Sequence, residues 1–207
     1  LNGNINLSES RLTVQDDLTL TSSADILLDT AELKNTSRGD LLVDAVGNVT
    51  MTMGSINAGA VNDSTGFVHL LGGGTVSLGN STVTVNSVDE VNPLRVEAGP
   101  LLDLGSTQFN ISNDASNGNK GLILTATGDI DLGSSDLTFR DNLGGGTNLD
   151  RITAGGRIFS DAADGNAGTF VNNYTLTSDD GTFEITAGAD IFLPDMNLIV
   201  MEIDGGE

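Results

Sequence analysis

Apolar and polar positions along the chain follow one short pattern, repeated from end to end. Segments of the form small–polar–aliphatic–x–aliphatic recur throughout. Taking the first aliphatic residue after each turn as an anchor gives Ile5, Ile26, Val49, Val76, Leu102, Ile130, Ile158 and Ile191, spaced 21, 23, 27, 26, 28, 28 and 33 residues apart. Two residues after the anchor stand Leu7, Leu28, Met51, Leu78, Leu104, Leu132, Ser160 and Leu193, all but one apolar. A period of two marks a strand with one face turned inward. Two residues before the anchor stand Gly3, Ala24, Gly47, Gly74, Pro100, Gly128, Gly156 and Ala189, residues suited to a bend or a close backbone approach.

Six residues before the anchor, from the second repeat onward, the chain places Leu20, Val43, Leu70, Val96, Leu124, Ile152 and Ile185. The next inward position holds only small residues: Ser22, Ala45, Gly72, Ala98, Ala126, Ala154 and Ala187. A narrow interior needs small side chains where the chain turns inward, because larger ones overpack it. Seven residues after the anchor come Leu12, Leu33, Ile56, Val83, Phe109, Leu137 and Leu198, so a second strand follows a short turn. Constant offsets within each repeat predict an all-β fold, a right-handed parallel β-helix (β-solenoid) of about eight rungs. Residues 1–207 are expected to form a single solenoid segment, an excerpt of a longer repeat protein. An antiparallel sandwich gives no reason for such offsets.

Variation in length falls between the last strand of one repeat and the first of the next, from Gln15–Asp17 to the ten residues Ser112–Gly121. Insertions on one edge leave a stacked core intact, and recognition in repeat proteins is usually carried there. The seventh repeat departs from the pattern. Ser160 stands in an aliphatic column and Gly165 where a core residue belongs, so 161–169 reads as an insertion before strand character resumes.

Composition sharpens this picture. Aromatics make up 4% of the chain, Trp is absent and Gly numbers 27, which suits a thin aliphatic interior rather than a broad aromatic core. The formal net charge of −21 repels nucleic acid and anionic membranes, so neither is an expected partner. With no Cys there is no disulfide framework and no thiolate metal site. The single His69 falls between inward Val68 and Leu70, which predicts a solvated side chain. No nucleophile elbow and no phosphate loop occurs, so no catalytic residue is assigned.

Several surface features carry candidate binding chemistry. Arg38, Gly39 and Asp40 spell the tripeptide that integrins recognise, on the variable edge. Asp114, Asp141, Asp179 and Asp180 lie in acidic or amide clusters offering the hard oxygen ligands that Ca²⁺ prefers, without matching a known Ca²⁺ loop. The residues before the last three anchors, Asp129, Arg157 and Asp190, should stack as an outward charge ladder, and Thr125, Thr153 and Thr186 as another. Phe159 and Phe192 should lie side by side outward, as an interface patch.

The repeats at 121–139, 41–56 and 183–200 resemble the degenerate rungs of filamentous-haemagglutinin-like exoproteins and autotransporter passengers, a class of bacterial surface adhesins. The resemblance covers nearly the whole chain and implies export to the bacterial cell surface, with a non-enzymatic role as a structural or adhesive stalk. Its partners would be neighbouring rungs, or further copies end to end, and a receptor or glycan on a host, surface or cell. A self-stacking filament or surface-layer subunit is the second expectation. A β-helical polysaccharide-active enzyme is the third, disfavoured because a polyuronate would be repelled by this charge.

Overall fold

The computed structural model describes residues 3–37, 39–58, 67–87, 94–113, 122–141, 149–160, 168–176, 182–194 and 196–204. Among them there is no helix, and every strand pairing is parallel. The first sheet stacks β1 (Ile5–Asn6), β4 (Ile26–Leu27), β7 (Val49–Thr50), β10 (Val76–Ser77), β13 (Leu101–Asp103), β16 (Asp129–Asp131), β19 (Ile158–Phe159) and β22 (Ile191–Phe192). The second stacks β2 (Arg11–Val14), β5 (Glu32–Asn35), β8 (Ser55–Ala58), β11 (Thr82–Ser87), β14 (Gln108–Asn113), β17 (Asp136–Asp141), β20 (Gly168–Leu176) and β23 (Met196–Asp204). The third stacks β3 (Leu18–Ser22), β6 (Leu41–Ala45), β9 (Val68–Gly72), β12 (Leu94–Ala98), β15 (Leu122–Ala126), β18 (Leu149–Ala154) and β21 (Thr182–Ala187). Each coil visits the three sheets in turn. The result is a β-solenoid of seven complete coils, with β22 and β23 opening an eighth that has no third-sheet strand among the described residues.

The anchors are register partners throughout the first sheet, from Ile5 opposite Ile26 to Ile158 opposite Ile191. Their columns form one continuous core with Leu28, Leu78, Leu104 and Leu132 from the same sheet, Leu33, Ile56, Val83 and Phe109 from the second, and Val43, Leu70, Val96 and Leu124 from the third. Small residues at Ala45, Ala98, Ala126 and Ala154 are buried where the third sheet turns toward the first, as a narrow corner requires. At Gly72 even a β-carbon would crowd the Val76 side chain.

Turns between the first and second sheets occupy 7–10, 28–31, 51–54, 78–81, 104–107 and 132–135, a constant length. Each contains a left-handed residue. In the first four coils it is Glu9, Thr30, Met53 or Asn80, with φ of 61°, 54°, 53° and 56°. In the next two it is Gly105 and Gly133, one position earlier relative to the anchor, and the side chains of Asp103 and Asp131 accept hydrogen bonds from those glycine N–H groups. The same corner holds a buried column of hydroxyls. Ser81 Oγ donates to the Met51 carbonyl, Thr107 Oγ1 to the carbonyls of Leu78 and Leu104, and Ser135 Oγ to that of Gly105. Each therefore ties one coil to the one below, and its desolvation is offset by a partner.

The seventh coil shows how the solenoid absorbs an insertion. Gly165 lies outside the described residues; the register partner of Leu137 below and Leu198 above is Phe170, because β20 begins only at Gly168. The connection from β19 to β20 spans 160–167, where the corresponding connections of the coils before it hold four residues. Ser160 keeps its inward place at 2% exposure, and its hydroxyl is the one buried side-chain polar atom among the described residues without a hydrogen-bond partner. A buried unpaired hydroxyl costs about 1–3 kcal/mol. Ser160→Ala is therefore expected to stabilise the chain by about 1 kcal/mol in urea denaturation, where Leu124→Ala, which opens a cavity, loses about 2–5 kcal/mol. A loss of stability on Ser160→Ala would show that the hydroxyl has a partner after all.

Candidate functional site

Topology sorts the connections by corner. Those from the second sheet to the third, 15–17, 36–40, 59–67, 88–93, 114–121, 142–148 and 177–181, all join the same two sheets and carry nearly all the variation in length. Those from the third sheet back to the first hold two or three residues each, for example 73–75 and 99–100. The exception elsewhere is the 160–167 turn. The connection expected at Ser112–Gly121 is shorter than the sequence suggests, because β14 runs to Asn113 and the loop starts only at 114, and 59–67 is the longest of the set.

On the outer face of the first sheet the residue before each anchor does more than carry charge. The Asn48 N–H donates to Asp25 Oδ1 at 2.8 Å, the Thr75 N–H to Asn48 Oδ1 at 2.8 Å, and the Arg157 N–H to Asp129 Oδ1 at 2.7 Å. Each Asn or Asp side chain thus reaches up one coil and satisfies a corner N–H that the strand ladder leaves free. The reaching side chain fills the space above it. A β-carbon on Gly47, Gly74 or Gly156 would overlap the Oδ1 of Asp25, Asn48 or Asp129 respectively. Where Ala24 stands above Asn4 instead, the bond from the Asp25 N–H to Asn4 Oδ1 lengthens to 3.2 Å. The short form of this bond therefore goes with glycine one residue earlier in the next coil, and alanine there goes with a longer one. This coupling, spread over more than 20 residues of sequence, was invisible as a local motif although each column was legible by itself.

The charge ladder forms between Asp129 and Arg157, whose guanidinium donates to Asp129 Oδ2 at 2.8 Å. That hydrogen bond, before the charge itself, holds the Asp129 carboxyl below its usual range and raises Arg157. Asp190 joins only through its charge. The Arg157 guanidinium also lies 5.1 Å from the centre of the Phe159 ring, a cation–π contact. Phe159 and Phe192 are register partners as expected, with Phe192 65% exposed and Ile191 beside it 50% exposed. Together with Ser160, Asp190 and Pro194 these residues line a cleft of about 940 Å³ at the β22 end of the solenoid. The threonines also align, Thr125 with Thr153 and Thr153 with Thr186.

His69 is not a freely solvated side chain. It is half-buried, its ring stacks on Phe67 at 3.9 Å, and burial lowers its pKa, with Arg95 beside it acting in the same direction. Arg95 itself pairs with Glu97, and Arg151 with Glu184 at 3.1 Å, so the basic groups of the third sheet meet acidic partners on its outer face.

Of the integrin-type tripeptide, Arg38 lies outside the described residues. Gly39 is buried against Asp16, and its carbonyl accepts from Asn35 Nδ2 at 2.8 Å. Asp40 Oδ1 accepts from the Phe67 N–H at 3.3 Å. The glycine is part of the stack rather than the tip of a projecting turn, which does not favour recognition by an outside receptor. Asp114, Asp179 and Asp180 lie outside the described residues, and Asp141 closes β17 with Asn113 and Tyr174 as register partners. Among the described residues no group of three or more acidic or histidine side chains is placed to hold a metal ion, and no helix is long and apolar enough to cross a membrane.

Two outcomes follow from these contacts. Asn48→Ala and Gly74→Ala should each destabilise the fold by about 1 kcal/mol or more, and in the double variant the costs should fall short of additivity by about 0.5–1 kcal/mol, since removing the Asn48 side chain opens the space the new methyl needs. Strict additivity in a denaturation cycle would refute the coupling. For Asp40, burial raises the folded-state pKa, so the charged form costs stability, and that cost grows as pH rises through this pKa and vanishes below the ordinary carboxylate range. Asp40→Asn should therefore be more stable than the parent at pH 7, with the gap closing toward pH 3, as read by thermal melts across that range. No protein-family model matches the chain, and no curated protein and no solved structure matches it either.

Proposed function

We propose that this chain is a non-enzymatic stalk segment of a large bacterial surface protein, a rod that carries binding loops to a host, surface or neighbouring cell. The observation that supports it most directly is the segregation of length. Two corners keep nearly constant turns while the third carries connections from 15–17 to 59–67. A rod that only had to fold would have no reason to collect its insertions along one line, whereas a ligand lying along the axis meets all of them at once. The acidic surface keeps such a rod soluble and separates it from nucleic acid and anionic lipid. The repeat resemblance to filamentous-haemagglutinin-like exoproteins supports the extracellular address.

The third-sheet and first-sheet faces hold ion pairs, threonine ladders and Asn/Asp caps, all with structural partners, and this favours a scaffold over an enzyme. Replacing 114–121 and 142–148 by short Gly-Asn turns should leave the melting temperature within a few degrees, because the stacked columns are untouched, and should reduce attachment of chain-coated beads to glycan surfaces or cells at least tenfold. Full attachment by the shortened rod would remove the loops from the function. Cleavage of an acidic or neutral polysaccharide by the purified chain at an enzymatic rate would end the stalk reading.

A further inference from the structure

On the first and third sheets the outward charged and amide side chains pair largely within the fold. The second sheet differs. Its strands alternate inward and outward, and the register aligns the outward positions of the third, fourth and fifth coils in two columns: Ser55, Thr82 and Gln108 in one, Asn57, Thr84 and Asn110 in the other. All six are polar, uncharged and at least partly exposed. None of their side chains has a hydrogen-bond partner among the described residues. Charge returns only at the borders of this platform, with Glu32 and Lys34 in register below it and Asp136 above.

The chemistry of the platform selects what it can hold. The net charge of −21 repels a polyanion, and a face without carboxylates offers a polycation no ion pair. With no large apolar side chain pointing outward, an aliphatic peptide or a lipid surface gains nothing there. Amides and hydroxyls both donate and accept, so the matching ligand is neutral and carries both kinds of group. It also repeats, because the platform presents the same chemistry again at each coil, with a rise of about 4.8 Å. An extended chain of pyranose rings advances by nearly the same step per ring and bears hydroxyls along both edges. We propose that the second-sheet face of the third to fifth coils binds a neutral, extended polysaccharide lying along the solenoid axis, one sugar to each coil. Asn57, Thr84 and Asn110 bond to the hydroxyls of successive rings, flanked by Ser55, Thr82 and Gln108. Glu32, held by Arg11 at 2.6 Å, and Asp136 mark the two ends of the site. Each sugar exchanges hydrogen bonds with water for bonds with protein, so a single ring binds weakly and strength comes from the number of coils engaged. The platform lies on a sheet face rather than on the variable connections, and it stands or falls apart from the attachment assigned to them.

The test is a titration of the purified chain with soluble, neutral β-1,4-linked glucose oligomers of two to six sugars, read by calorimetry or amide chemical shifts. Affinity should rise roughly threefold per sugar until the three coils are spanned and flatten beyond, reaching a Kd on the order of 1 mM. A uronate oligomer of equal length should bind at least about tenfold more weakly. Thr84→Ala and Asn110→Ala, outward substitutions expected to leave the thermal melt in place, should each weaken binding of the longest oligomer about threefold, and Thr125→Ala on the third-sheet face should not. The rod with 114–121 and 142–148 shortened should bind the oligomers as the parent does. No binding at about 10 mM oligomer, affinity that does not grow with length, or binding unmoved by both alanine variants would each overturn the proposal. Loss of binding in the shortened rod would place the site on the connections and overturn it too. A parent chain that dimerises, and is returned to monomer by Asn110→Arg, would assign the face to a second copy and overturn it equally.

Discussion

Everything in this structure depends on the parallel hydrogen-bonded ladder between successive coils. Because every backbone donor of the inward columns faces the same way, each coil is a template for the next, and the identity of a side chain matters chiefly through the residue one coil above or below it. Columns, rather than segments, are the units of stability. The core is correspondingly thin: aliphatic side chains fill it in layers, with Phe109 its largest fully buried member, and no aromatic cluster is needed.

The columns were legible because strand geometry fixes offsets within a coil. Ile5 to Ile191, the small residues from Ser22 to Ala187 and the Thr125–Thr153–Thr186 stack could each be aligned from spacing alone, and the register places them together. Interactions between coils were less legible. The hydroxyls of Ser81, Thr107 and Ser135 look like ordinary turn residues in sequence, yet they are buried and bond to carbonyls of the coil below. The Gly47–Asp25 and Gly74–Asn48 relation needs contact distances, because nothing in a one-dimensional string says that a side-chain oxygen occupies the volume of a missing methyl. His69 was misplaced for a related reason. Alternation correctly turned it outward, but the Phe67 ring beside it covers part of its surface.

The candidate site follows the same division. The variable edge could be located from the sequence, since it is defined by changes in length. The ligand residues on it could not, because loops are constrained by what they touch, and the pattern of the strands ends where the loops begin. Gly39 illustrates the hazard of reading a tripeptide by itself: it is held against Asp16 and Asn35 as part of the stack, so its meaning in the fold is packing.

One mechanical consequence follows from coils that touch only their immediate neighbours. Tension between the two ends of the solenoid acts across the strands and along the hydrogen bonds, so it opens the terminal pairing first and frees one coil at a time instead of shearing a whole sheet. Each release converts a rise of about 5 Å into an extended strand of roughly 85–90 Å, taking the 26 residues between Val76 and Leu102 as a typical coil. A rod built in this way yields under load in small steps and lengthens more than tenfold before its covalent chain is taut.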